Sequence, residues 1–491
     1  MESKKASFLK NMIGFSMVTW ISFVLGFLSS PIATRLFVPE ELGKVNMFFS
    51  YSGLMSAVCY LGLDQMFIRF FLNPPSKASR KTLFTYAIGV SLAASLLLTL
   101  CLTAFWQRLS IGVSGAPSVG IFVCLCVYSF SLIMFRFLSL CYRMEQNALL
   151  YTIQGILQVF ITKLAYLSVA FAGGTGEHAI LLLTLLMSLF SLTFLVLQRR
   201  FFSVKALAQV DKPFLKETWK FALPLVPLTL LDWLNNNVSV VVLNNLLGLG
   251  AVAVFSSAVG LASTINIIQT GFNTYWAPYV LENYDSQDGR FYTVHRLMAC
   301  MLTLFGLGIS LLQTPVFLLL GKSYRSSVIF FPFLFLSPIC YCLGETTDMG
   351  ITIAKKTYWT TLIFLISSLL NIALCYVFIP RFGMVGGAMA SAGSAIVILF
   401  LRTAIGQKYY RVLPDWRYLF ITVGLMLAAS FGNLLLNDLP LPKYLLLTGL
   451  VALACLIYRN ELKTLFSTGW ELAGILLGKL KRRKNEEESN G

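Results

Sequence analysis

Residues 178–198 read HAILLLTLLMSLFSLTFLVLQ, and from Ala179 to Leu197 no side chain is charged. At 1.5 Å per residue, a helix of that length is about 28 Å long, the thickness of a bilayer's hydrocarbon core. The run is continuously apolar rather than alternating, so a membrane β-strand does not fit it. Fourteen such segments are long and apolar enough to span a bilayer. They lie near 14–37, 43–72, 83–106, 118–142, 151–172, 178–198, 219–247, 250–280, 292–320, 326–353, 357–379, 383–406, 416–436 and 442–458. The connections are short and hold no inserted water-soluble domain. Composition agrees: 57% of the residues are hydrophobic and 12% are charged, about half the charged share of a soluble protein. So few charges cannot clothe a soluble chain of 491 residues, which excludes a soluble enzyme. The 40 Phe and the long apolar runs exclude disorder and a disulfide scaffold. The expected fold is an all-α polytopic membrane protein with fourteen transmembrane helices.

The formal net charge is +17. In a soluble chain that excess points to nucleic acid. In a membrane chain it reflects Lys and Arg held in cytoplasmic loops, so no nucleic-acid partner is expected. With the N-terminus inside, the inner segments hold Lys4, Lys5, Lys10, Lys77, Arg80, Lys81 and Arg143. They also hold the cations from Arg199 to Lys220, then Arg290, Arg296, Lys355, Lys356, Arg402, Lys408, Arg411, Arg417 and everything basic from Arg459 onward. The outer ends hold Arg35, Lys44, Arg108, Lys322, Arg325, Arg381 and Lys443. This imbalance places both termini in the cytoplasm and supports an even number of spans. Met1 to Lys10 resembles the start of a signal sequence, but no small-residue cleavage site follows. The apolar run after it is therefore read as the first helix.

The charged stretch 201–218 divides the chain. It separates an N-terminal lobe, 1–200 with helices 1–6, from a C-terminal lobe, 219–410 with helices 7–12. Helices 13 and 14 follow in 411–460. Two six-helix lobes facing a central cavity form a common transporter plan. In 461–491, Leu462, Leu465, Phe466, Trp470, Leu476, Leu477 and Leu480 recur at helical spacing before the basic run Lys479–Lys484. That pattern predicts an amphipathic helix lying in the cytoplasmic interface, ending in a charged tail.

Chemistry is sought where polar groups stand at membrane depth. A charge there costs about 3 kcal/mol on insertion scales, so it faces a partner or a wet cavity. Lys163 stands about a dozen residues into helix 5, roughly 18 Å deep, and is a candidate for contacting an anionic substrate; a buried structural pair is the other reading. Arg136 in helix 4 is a second candidate. Arg69, near the end of helix 2, is a third, with an interfacial anchor as its alternative. Asp64 and Arg69 stand five apart, about 140° round a helix, so each needs some other partner. Asp232, Asn235 and Asn236 fall on one face of helix 7 and either line a cavity or glue helices. Helix 10 adds Glu345 and Asp348, and pairing with Lys355 or Lys356 competes with a functional role for Asp348. Asp64, Asp232, Glu345 and Asp348 are the candidate ion-coupling carboxylates. Gln154, Gln158 and Thr162 make a polar stripe on helix 5, and Gln158 joins the substrate candidates.

Tyr275, Trp276 and Tyr279 read as an interfacial aromatic belt. The 10 Cys lie almost wholly inside apolar runs, in C-x-C rather than zinc-type spacing, and read as small packing residues. No nucleophile motif, phosphate loop or metal cluster is present, and no cofactor is expected. Gly383-Met384-Val385-Gly386-Gly387 opens a membrane helix and follows no strand, so it is a weak dinucleotide signal.

Several stretches together resemble one family. Thr34-Arg35-Leu36-Phe37-Val38-Pro39-Glu40-Glu41-Leu42-Gly43 is similar to its first outer loop, and Gly62-Leu63-Asp64 with Arg69 to the end of its second helix. Leu223-Pro224-Leu225-Val226-Pro227 resembles the start of its seventh helix, and Tyr275-Trp276-Ala277-Pro278-Tyr279 the end of its eighth. Ala354-Lys355-Lys356-Thr357 and Ile379-Pro380-Arg381-Phe382-Gly383-Met384-Val385-Gly386-Gly387-Ala388 resemble its late helices. The family is the bacterial polysaccharide transporters, the Wzx-type oligosaccharide flippases of the multidrug/oligosaccharidyl-lipid/polysaccharide exporter superfamily. The resemblance runs over about residues 10–460. It implies a bacterial plasma-membrane protein that is not an enzyme. It implies a substrate too: a glycan repeat unit on polyprenyl diphosphate, turned from the inner to the outer leaflet for O-antigen, capsule or exopolysaccharide assembly. Beyond the substrate and the lipid bilayer, polysaccharide polymerase machinery is a candidate partner. One departure stands out, since many members carry an acid–base pair in helix 7 where this chain reads Ser239-Val240. A lipid II flippase and a multidrug exporter of the same superfamily are the competing readings. A glycan polymerase or ligase needs a large outer loop that this chain lacks.

Overall fold

The computed structural model describes residues 2–76, 78–286 and 290–467, and every regular element among them is helical. The chain opens with α1 (Glu2–Leu36), α2 (Pro39–Tyr60), α3 (Leu63–Phe70), α4 (Arg80–Leu102), α5 (Trp106–Ser114), α6 (Val119–Met144) and α7 (Ala148–Phe160). A π-helical segment, Ile161–Ala165, leads to α8 (Leu167–Phe171), α9 (Gly176–Leu197), α10 (Lys212–Ala222), α11 (Leu225–Leu247), α12 (Leu249–Ala262) and α13 (Asn266–Asn283). Then come α14 (Arg290–Leu311), α15 (Gln313–Leu318), α16 (Phe331–Thr347), α17 (Met349–Ile353), α18 (Tyr358–Phe382), α19 (Met384–Tyr409), α20 (Arg417–Leu435) and α21 (Pro440–Ile457).

Among the described residues, 12 helical stretches are long and apolar enough to cross a membrane, from Arg80–Ser114 to Pro440–Ile457. They coincide in order with the last twelve expected spans. The first two expected spans are also helical. In α1 the shorter apolar stretch is Trp20–Leu36. α2 carries Glu40, Glu41 and Lys44 in its opening turns. The expected second helix, 43–72, is interrupted: Leu61 and Gly62 both take left-handed backbone, with φ of 50° and 71°. Gly62 also lies so close to α10 that a Cβ there would stand 2.3 Å from the Ala222 carbonyl oxygen. The break puts Asp64 in the first turn of α3, where the helix dipole favours a carboxylate.

Local chemistry sets the helix ends. Ser79 caps α4 in a reciprocal box with Thr82, while Ser118 and Asn147 accept from the first-turn amides of Ile121 and Leu150. Asp211 caps α10 through the Phe214 amide at 2.8 Å. Within spans, hydroxyls return their protons to the preceding turn, as Ser52 does to the Phe48 carbonyl at 2.7 Å and Thr303 to that of Ala299 at 2.7 Å. An apolar solvent leaves them few other acceptors.

Two compact units form. The first holds Met1–Ile267, Pro315–Val328 and Thr360–Ser394; the second holds Ile268–Thr314, Ile329–Trp359 and Ala395–Gly491. In the first, α2 packs on α6, α11 and α12, and Phe48, Phe67, Phe84, Tyr128 and Phe137 are fully buried. In the second, α14, α16, α20 and α21 pack together around Phe331, Phe333, Phe335 and Tyr458. The expected interfacial helix is described as far as Ser467; Trp470, Leu476, Leu477, Leu480 and the basic run lie outside the described residues.

Candidate functional site

In the first unit, Arg136 finds the partner that Asp64 needs. Its Nε and Nη2 donate to one carboxylate oxygen of Asp64 at 3.1 and 2.7 Å. Asp64 is 10% exposed and Arg136 38%, so the guanidinium keeps a free edge while the acid is enclosed. Gln65 Nε2 also donates to Asp64, at 3.0 Å. Arg69 is exposed on α3 and, among the described residues, has no ion-pair partner.

Lys163 stands at the centre of the π-helical segment Ile161–Ala165. A π-turn inserts one residue into an α-helix and recurs at functional sites, because it re-aims a side chain at the expense of helix regularity. The Lys163 side chain is exposed, and no described carboxylate lies within ion-pairing reach. Beside it, Thr162 donates to the Gln158 carbonyl at 3.0 Å. Gln158 is half-buried, whereas Gln154 is fully buried with both amide atoms unpartnered among the described residues.

The polar face of α11 divides. Asp232 and Asn236 are exposed and bonded to each other, Asn236 Nδ2 donating to the Asp232 carbonyl at 2.9 Å and to its carboxylate at 3.4 Å. Asn235 turns instead to α18. Its Nδ2 donates to Ser368 Oγ at 2.8 Å and to the Leu231 and Phe364 carbonyls at 3.0 and 3.3 Å, and its Oδ1 accepts from Ser367 at 3.0 Å. These bonds engage the amide fully, so Asn235 joins helices rather than lining a substrate site. One turn on, Ser239 Oγ meets Ser391 Oγ at 2.8 Å and lies 3.4 Å from both Asn371 Oδ1 and Cys375 Sγ. This node is neutral where the resemblance led one to look for an acid and a base.

In the second unit the helix-10 carboxylates meet a cation. Arg402 of α19 donates through Nε to Asp348 Oδ2 at 2.8 Å and through Nη2 to Glu345 Oε1 at 3.2 Å. It also lies over the Tyr341 ring, 5.0 Å from its centre. Arg402 is 5% exposed, and its Nη1 is buried without an acceptor among the described residues. The expected pairing of Asp348 with Lys355 or Lys356 does not form. Nor does Arg402 serve as an inner-surface charge, since it is spent inside the helix packing. The gap that admits it is Gly344, whose Cβ, if present, would touch the guanidinium at 3.2 Å. Sequence reasoning passed over Arg402 because it stands near a span's end, where an anchoring role is the ordinary one. The available signal was Glu345 and Asp348, two buried acids that demand a cation.

The interfacial-belt expectation is corrected at Trp276. Trp276 is buried at 2% exposure, stacks on Phe272 at 5.0 Å, and donates its indole N–H to the Glu345 carbonyl at 3.0 Å. It belongs to helix packing, not to an interfacial belt. Eight of the ten cysteines are buried, Cys101 and Cys455 excepted, and the described residues contain no group of His, Cys, Asp and Glu able to hold a metal.

The fold is shared with solved membrane transporters. Lipid II flippase MurJ in an inward closed conformation matches with a TM-score of 0.63 at 15% identity, covering 91% of this chain and 98% of that one. An inward-facing multidrug resistance MATE family transporter of the MOP superfamily matches with a TM-score of 0.52 at 17% identity, covering 79% and 94%. A MOP superfamily transporter from Pyrococcus furiosus gives 0.51 at 14% identity, covering 82% and 95%. No curated protein matches by sequence. The sequence pattern of the family described as polysaccharide biosynthesis protein matches residues 8–284. The chain belongs to that family and is an all-helical, multi-pass membrane protein with the MOP-superfamily fold.

Proposed function

We infer that the chain is a flippase that moves polyprenyl-diphosphate-linked oligosaccharide repeat units from the inner to the outer leaflet of the bacterial plasma membrane, by alternating access. In this reading it has fourteen transmembrane helices with both termini cytoplasmic. The lobes 1–200 and 219–410 face a central cavity, and two further helices lie at the C-terminal end. The observation that carries the reading is Lys163, a cation at span depth held on a π-turn with no described acid beside it. A diphosphate satisfies that need, since it offers several acceptor oxygens and more than one negative charge. Arg69 and the free edge of Arg136 are the other contacts proposed for it, with Gln158 and Asn236 toward the glycan.

Coupling is assigned to carboxylates. Asp232 is exposed on its helix and, among the described residues, is tied to Asn236 alone. The group of Arg402, Asp348 and Glu345 holds one cation and two acids. Glu345 is the more loosely held acid, and a proton or other cation taken up there neutralises the group.

The test is flipping of labelled lipid-linked oligosaccharide by the protein in proteoliposomes. Lys163→Gln removes the cation proposed to hold the diphosphate and is expected to lose most transport, with Lys163→Arg retaining more. Arg136→Gln is read beside Asp64→Asn, which leaves the cation but removes its internal partner. Wild-type rates in Lys163→Gln and Arg136→Gln together would overturn the assignment of these cations to substrate.

A further inference from the structure

Three of the seven cations assigned to the outer ends converge in the first unit. Arg35 stands in the last turn of α1, and Lys322 and Arg325 lie in the 3-10 segment Lys322–Phe330. With Thr34, Gly321 and Ser323 among its other lining residues, they surround one open pocket of about 350 Å³. Backbone groups build the site. Arg35 Nη2 and Arg325 Nη2 both donate to the Leu318 carbonyl at 3.2 Å, and Arg325 Nε donates to the Leu320 carbonyl at 3.2 Å. The two walls are locked together by the Gly321 amide on Thr34 Oγ1 at 3.2 Å and by the buried Tyr324 hydroxyl on the Phe37 carbonyl at 3.0 Å. A Cβ at position 321 would lie 2.0 Å from the Thr34 carbonyl oxygen, so only glycine lets the walls approach this closely.

Two guanidinium groups are thus fixed on a single carbonyl, with an ammonium on the same rim. Like charges so placed repel one another until an anion enters. Among the described residues none of the three pairs with a carboxylate. Lys44, another cation assigned to the outer side, shows the contrast: it pairs with Glu41 and Glu177 at 2.9 and 3.4 Å. The unspent donors of Arg35 and Arg325 match the paired oxygens of a phosphate, and Lys322 adds a point charge.

We propose that this pocket is a phosphate-binding site, taking a phosphate or diphosphate group at the end of the molecule where α1 terminates. Its outer-leaflet position rests on the orientation proposed above; its chemistry does not. The anion comes either from a lipid head group or from free solution. Purified full-length protein in phosphatidylcholine nanodiscs is titrated with inorganic diphosphate by calorimetry. In a second arm, native mass spectrometry counts the phosphatidylglycerol retained from discs containing one-fifth of that lipid.

Each neutral substitution is expected to weaken binding about tenfold. Lys322→Gln is the cleanest probe, since Lys322 makes no hydrogen bond to the described chain. Arg35→Gln and Arg325→Gln follow, with Arg35→Lys and Arg325→Lys expected to recover part of the loss. Loss in the lipid arm alone identifies a head-group site, loss in the diphosphate arm alone a soluble-anion site, and loss in both a site open to either. Unchanged binding in both arms for a folded Lys322→Gln and for the triple Gln variant would overturn the proposal. Lys163→Gln is carried through the same titrations. It is expected to remove only the binding event assigned above to Lys163 and to keep the event that Lys322→Gln removes, so failure of the flippase reading and failure of this site are told apart.

Discussion

Arg402 joins two acids inside the second unit. It satisfies two acids at once, and neither acid has another described cation within reach. Arg402→Leu is expected to destabilise the protein by about 3–5 kcal/mol, because it strands buried carboxylates. Combining it with Asp348→Leu and Glu345→Leu is expected to restore most of that loss. Thermal unfolding in detergent checks both, and an unaltered melting temperature in Arg402→Leu would show that the ion group contributes nothing to the fold. Asp64 and Arg136 are the equivalent pair in the first unit, but Arg136 is partly open, so the coupling energy from a double-mutant cycle should be smaller. The sequence made the individual charges legible, because each stands out against an apolar run. It did not make their partners legible. Arg136 and Asp64 are 72 residues apart, and Arg402 and Asp348 are 54 apart; no helical period joins positions on different spans.

At the scale of elements, two features separate function from packing. The π-turn Ile161–Ala165 sets the direction of Lys163. Deleting Ile161 is expected to restore a continuous α-helix, keep the protein folded, and turn Lys163 by about 100°. Transport should then fall as far as in Lys163→Gln, measured by the same flipping assay; wild-type flipping would sever the π-turn from function. On α11 the expectation runs the other way. Asn235→Leu removes bonds that tie α11 to α18 and is expected to cost about 1 kcal/mol of stability, whereas Asp232→Asn is expected to leave stability unchanged and lower coupled turnover. Binary pattern told helix from strand at every span, and capping residues such as Ser79 and Asn147 mark true starts. The π-turn carries no sequence signal of its own. The division of the α11 face between Asp232 and Asn235 depends on where α18 lies, which hydrophobic periodicity does not encode.

At the scale of the whole molecule, orientation is the property most open to test. Lys205→Cys and Ser323→Cys are both exposed positions. An impermeant maleimide applied to intact spheroplasts is expected to label the second and spare the first, with Lys205→Cys reacting after the inner face is opened. Ser114, which the span pattern also places outside, is a poor reporter, being buried and bonded to the Ser110 and Ala116 carbonyls at 2.9 Å. Labelling in the opposite sense would invert the proposed direction of transport. Twelve of the fourteen expected spans were legible, because bilayer thickness fixes the length of an apolar run. The grouping of spans into compact units was not, since each unit gathers segments far apart in the chain.

The indole of Trp276 has an optical consequence. It is enclosed, and its N–H rests on the carbonyl of Glu345, the residue whose charge the coupling scheme changes. In a low-dielectric interior a charge one residue away alters the excited-state energy of that ring far more than it would in water. A variant keeping Trp276 and replacing the other seven of the 8 tryptophans with Phe therefore contains a built-in emission probe. Its spectrum is expected to shift as the second unit takes up or releases a cation, and to stop shifting in Glu345→Gln, so that ion binding can be followed in real time without an added dye.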